Sequence, residues 1–148
     1  MVMENPRLAG RERPHELTKR LKADFKHRWV TDEKQNRWEL RFLFQLIEFE
    51  KPRSRINLAM IANRNGDAQD LQHAAYLEIN CGDGELTLRW SSGVNYTVEH
   101  AIVAFRNIYP LQQWVEDILL ALQGNPIVVL IPEIEELASK LSNNRAAR

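Results

Sequence analysis

The periodicities between Ala74 and Leu122 constrain the fold of this chain more than any other feature of its sequence. Apolar and polar side chains alternate over residues 75–80 and again over 86–90, and Cys81-Gly82-Asp83-Gly84 separates the two runs. This pattern predicts a β-hairpin with one buried face, in which the glycines supply the turn. A strand pair of this kind needs a covering layer, and the following segment supplies one.

Beyond Ser91 the apolar spacing lengthens to about 3.6 residues, which predicts amphipathic helices. Thr97 is a candidate N-cap for the first helix, and Pro110 should end that helix and start a second. Gly124-Asn125-Pro126 stops the second helix, and residues 127–130 suit either a short strand or an extended link. Pro132 opens a final short helix.

A period of two also runs from Trp38 to Leu46, and the adjacent apolar pair Leu46-Ile47 predicts a bulge or bend there. Residues 51–54 form a turn, and residues 56–62 form the returning strand. Upstream, Leu17, Leu21, Phe25 and Trp29 recur at intervals of four, which predicts one helix that Trp29 closes.

We therefore expect an α+β fold with an N-terminal helix, a four-stranded antiparallel meander sheet of two hairpins, and two or three helices packed on one sheet face. The domain spans 13–142, residues 1–12 form a flexible tail, and residues 143–148 fray. In element order alone the chain resembles the small α+β dimers that act as type III secretion chaperones and their non-secretion relatives. Those proteins usually insert a helix midway through the sheet, whereas residues 63–72 offer at most one helical turn here.

The overall charge is balanced but its distribution is uneven. Twenty basic and twenty acidic residues cancel, so the large basic excess typical of nucleic-acid-binding proteins is absent. Residues 1–28 nevertheless hold eight bases and four acids, whereas residues 99–136 hold six acids and one base. These segments either neutralise each other or mark a surface for a partner.

The sequence predicts a cytoplasmic protein without catalytic, cofactor or metal sites. The single Cys81 fits a reducing compartment, and residues 1–6 lack the apolar run of a signal peptide. Nothing predicts a membrane segment, since the apolar run 127–131 is far too short to span a bilayer. None of the four histidines pairs with another at helical spacing, and Cys81 suits a half-buried structural thiol.

Two functional hypotheses remain. The first is a non-catalytic protein-interaction module, an adaptor or chaperone-like homodimer, whose helix surface contacts itself or another protein. The candidate contacts are Phe105, Tyr109, Trp114 and Ile118. The second, less favoured, is a nucleic-acid-associated protein, in which basic side chains of the N-terminal helix bind phosphates and Trp29 stacks on a base. The candidate contacts are Arg13, Lys19, Arg20, Lys22, Lys26, Arg28 and Trp29. Core packing is the alternative role for Trp29 and Trp114.

Overall fold

A computed structural model describes residues 13–82, 84–91 and 97–134. Its elements, in chain order, are α1 (Pro14–Asp24), β1 (Arg28–Thr31), β2 (Arg37–Glu48), β3 (Ser54–Arg64), β4 (Gln72–Gly82), β5 (Glu85–Trp90), α2 (Val98–Phe105), α3 (Leu111–Ala121) and β6 (Ile127–Leu130). Residues 132–134 begin a further helix. The predicted tail over 1–12, the rest of that last helix and the end over 143–148 lie outside the described residues.

The sheet is larger than the sequence predicts. It has six strands in the order β1-β2-β3-β4-β5-β6, antiparallel from β1 to β5 and parallel between β5 and β6. The α+β class and the two predicted hairpins are confirmed, but the four-stranded meander is only its central part. The added edge strands are short, four residues each, and their patterns are too brief to separate strand from link.

Two local predictions are wrong. The first helix ends at Asp24, and Phe25 adopts an extended conformation, so Trp29 lies in β1 rather than in a helix. The predicted bulge near Leu46 is also absent, because β2 and β3 pair without interruption from Trp38↔Arg64 to Glu48↔Ser54. Ile47 therefore lies on the same side of the sheet as Gln45, opposite Leu46, and the strand does not turn over.

The helix signals are confirmed. The Thr97 side chain accepts a hydrogen bond of 3.1 Å from the backbone N–H of His100, as an N-cap does. Pro110 separates α2 from α3, and α3 ends before Gly124, whose φ of +96° few other residues adopt.

Helices α1, α2 and α3 pack on the same face of the sheet. Alternate strand residues such as Leu40, Leu58, Leu77 and Leu88 are buried in one core with residues of α1, α2 and α3. Because strand side chains alternate, the residues between them face the other way, and no described helix packs on that side. We call this side the open face.

Candidate functional site

The basic residues predicted as contacts surround α1 and the start of β1. Most are exposed, and Arg20 is partly buried. Arg20, Lys26 and Arg28 line a cleft of about 470 Å³ between the end of α1, the start of β1 and α3. Arg13, Lys19 and Lys22 lie outside the cleft lining; Lys19 and Lys22 are exposed on α1, and Arg13 is exposed at its N-cap.

Trp29 lies apart from those basic residues, on the open face. It pairs in register with Glu39, whereas Arg28 pairs with Leu40 of the core. The Arg37 guanidinium lies 4.6 Å from the centre of the Trp29 ring system, and the ring also packs against Gly66. The arrangement predicted from the sequence, with Trp29 among the cations of one helix, does not occur.

The floor of the cleft is aromatic. Phe25 and Phe42 contact each other with ring centroids 5.4 Å apart, and Tyr109 packs edge-on against Phe42 at 5.7 Å. The Arg28 guanidinium lies over the Tyr109 ring at 4.7 Å. Leu120, which is 68% exposed, lines the wall. The cleft therefore combines an aromatic base with cations, a pairing suited to cation–π contacts.

The acids of the cleft already have partners. Asp24 pairs with Arg20 at 3.5 Å, and Asp117 accepts hydrogen bonds from the Tyr109 hydroxyl and from Gln113 Nε2. Burial raises the pKa of Tyr109 above its ordinary value, and the neighbouring Asp117 carboxylate raises it further, so the phenol remains a donor. No partner is recorded for the Lys26 ammonium within the described residues.

The four residues predicted as a partner surface lie inside the chain's own core. Phe105, Trp114 and Ile118 are fully buried, and Tyr109 is nearly so. Their helices instead expose Val103, at 64%, and Leu120. The amphipathic pattern that suggested a surface is therefore the pattern of core packing, and only Tyr109 reaches the cleft.

The open face has an apolar centre. Leu43, Ala59 and Tyr76 are register neighbours across β2, β3 and β4, and Ile61 and Ala74 adjoin them in the next row. Leu43 is 50% exposed. A groove of about 380 Å³ runs over this centre, with Leu43, Ala59, Tyr76 and Ser91 in its lining.

Polar networks border this centre at both ends. Toward one end, Glu78 is only 3% exposed although it lies on the open face, because Arg55 and Arg89 both pair with its carboxylate. Toward the other, Arg41 donates a 2.9 Å hydrogen bond to Asn63 Oδ1. An apolar centre within a hydrogen-bonded polar rim is the usual anatomy of a protein interface.

Among the described residues no group of three or more His, Cys, Asp and Glu side chains is arranged to hold a metal ion. Burial raises the pKa of the Cys81 thiol, and its sulfur lies 4.0 Å from the Ile79 carbonyl oxygen, which fits the predicted structural thiol.

Comparisons with protein-family models, with curated proteins and with solved structures found no match to this chain. No helix in the described part of the chain has the length and apolar character needed to cross a membrane.

Proposed function

We propose that this chain is a non-catalytic protein-interaction module that associates with a second copy of itself through the open face. The observation that carries this proposal is the apolar centre of a sheet face on which no described helix packs.

The strand sequences support an occupant for that face. Residues 58–62 form an unbroken apolar run, Leu-Ala-Met-Ile-Ala, and residues 42–44 form another, Phe-Leu-Phe. Runs of this kind are typical of strands covered on both faces, whereas a strand with one wet face alternates strictly. The helices cover one face, and a second copy would cover the other.

The size of the face also suits a dimer. At a rise of about 3.4 Å per residue and a strand spacing of about 4.8 Å, the six strands present a face of about 800 Å². Interfaces of standard size bury about 800 Å² on each partner. Two open faces packed against each other would therefore form a β-sandwich-like dimer of ordinary dimensions.

Substitution of Leu43 tests this proposal. Leu43→Glu places a charge at the exposed centre of the face and should convert the dimer to a monomer, weakening association by about tenfold or more. The matched control is Val103→Glu, which introduces the same charge in place of an exposed apolar residue of α2, on the helical side. Light scattering over a concentration series reports the mass of each protein.

Wild type and V103E are expected to dimerise with rising concentration, and L43E is not. A wild-type protein that stays monomeric throughout contradicts the proposal, and so does a dimer that L43E leaves intact. Circular dichroism of L43E confirms that the fold is retained.

Nucleic-acid binding is the second candidate, favoured by the exposed basic positions of α1. Lys19 and Lys22 on this helix and Arg13 at its N-cap add exposed cations outside the cleft. Oligonucleotide retention that weakens steeply with salt, and that is lost when these three are changed to Gln, would support it. Retention that is unchanged in the triple variant, or no retention at low salt, would exclude it.

A further inference from the structure

The geometry points to the cleft between α1, β1 and α3 as a binding site for a monocarboxylate attached to an aromatic or compact apolar group. The proposal is independent of self-association, since the cleft lies on the helical side of the sheet, opposite the open face.

The net charge of the cleft lining favours a ligand that carries one negative charge. Arg20, Lys26 and Arg28 face Asp24 and Asp117 in its lining, three cations against two anions. Asp24 is already neutralised by Arg20, and both oxygens of Asp117 accept hydrogen bonds. Lys26 and Arg28 therefore remain as the donors available to a ligand. A net charge of +1 matches a carboxylate better than a dianionic phosphate, which would leave negative charge uncompensated beside Asp117.

The floor of the cleft selects the body of the ligand. Phe25, Phe42 and Tyr109 provide a partly covered aromatic base, and Leu120 and Ala121 provide an apolar wall. The exposure of Leu120 makes it the side chain with most apolar surface left to bury. The volume of about 470 Å³ lies within the range of sites that hold small organic ligands.

Arg28 belongs both to the cations of the cleft and, through its contact with Tyr109, to the aromatic floor. Its guanidinium lies on the Tyr109 ring and also interacts with the Tyr109 hydroxyl, which together fix the planar group in one orientation. The remaining N–H groups of the guanidinium can donate to a ligand. A guanidinium held in this way can bind a carboxylate through two hydrogen bonds with little loss of side-chain freedom.

The same chemistry occurs in a free aryl carboxylate and in the C-terminal carboxylate of a peptide that ends in Phe. Isothermal titration calorimetry of the full chain with naphthoate and with a short peptide ending in Phe separates these sources. Naphthalene methanol serves as the neutral probe, and inorganic phosphate as the dianionic one. Whichever carboxylate binds more tightly identifies the source.

We expect at least one carboxylate probe to bind at least tenfold more tightly than both naphthalene methanol and inorganic phosphate. Arg28→Gln and Lys26→Gln should each weaken it about tenfold, because each removes a charge-assisted hydrogen bond. Lys22→Gln, an equal charge change on α1 outside the cleft lining, should leave the affinity within about twofold. Leu120→Asp should abolish binding.

No heat and no chemical-shift change at cleft residues with either carboxylate would overturn this assignment, as would equal affinity for the neutral probe. So would K22Q and K26Q variants of equal affinity. Because the light-scattering masses of L43E and wild type are measured without ligand, a failure here is distinct from a failure of the proposed self-association.

Discussion

At the scale of single residues, Glu78 is a charged side chain that is buried on a sheet face predicted from the sequence to be solvated. Its alternation with Leu77 and Ile79 predicts a solvated side chain, yet the carboxylate is buried between the guanidinium groups of Arg55 and Arg89. Those arginines are one strand away on either side, so the pairing depends on strand register. No local sequence pattern predicts this pairing.

The substitution Glu78→Gln should lower the free energy of unfolding by about 1–2 kcal/mol, since a charged acceptor of two guanidinium groups becomes neutral. Both arginines are partly exposed and can be solvated, which keeps the loss at this level. Urea unfolding measures it, with Glu85→Gln, an exposed position of β5, as the matched control. Equal midpoints for the two variants would contradict the assigned role.

Asp70 gives a pH-dependent test. Two hydrogen bonds, the stronger from Arg64 and the other from the backbone N–H of Leu71, lower the pKa of Asp70 from 3.8 to about 2. A depressed carboxyl pKa adds stability that is complete above the unfolded value of 3.8 and is lost as the pH falls toward about 2. The stability difference between wild type and Asp70→Asn should therefore shrink across this window in urea titrations. A difference that persists unchanged below the window would show that the ion pair is not its source.

At the scale of elements, strand β1 is the feature that the sequence could not separate from a helix. The spacing of Leu17, Leu21, Phe25 and Trp29 continues the helical interval of four past the true end of α1. No glycine or proline marks that end. Phe25 packs against Phe42 and Phe44, and a residue on the apolar side of a longer helix would also be buried. Only the pairing of β1 with β2 therefore reveals the change.

The contact between Trp29 and Gly66 tests the position of β1. A Cβ at Gly66 would lie 2.5 Å from Cη2 of Trp29, and the φ of +68° is also unfavourable for other residues. Gly66→Ala should therefore destabilise the chain by about 1 kcal/mol or more and shift the Trp29 indole N–H resonance.

Gly124→Ala is the matched control, since Gly124 has a φ of +96° and nothing within 4 Å of an added Cβ. Gly124→Ala should likewise be destabilised by an unfavourable φ but should not shift the Trp29 indole N–H resonance. An indole resonance that G66A leaves in place would contradict the placement of Trp29 in this strand.

At the scale of the whole molecule, the sequence predicts the layers well and the surfaces poorly. The hairpins, Thr97, Pro110 and the α+β class follow from local periodicity and capping chemistry. The cleft does not, because Arg28 in β1 and Tyr109 between α2 and α3 are far apart in the sequence and meet only in the folded chain. The exposed position of Leu43 could have been predicted from the sequence. An apolar residue between Phe42 and Phe44 breaks the strict alternation of β2 and predicts that the open face is also covered.

The most direct test of the open-face interface is an isotope-filtered NMR experiment on a mixture of labelled and unlabelled chains. A dimer through the open face should give intermolecular nuclear Overhauser effects from the Leu43 methyl groups and the Tyr76 ring, and none from Val103. Intermolecular contacts confined to Val103 or to the edge strand β6, or no such contacts at concentrations where wild type is a dimer, would contradict it.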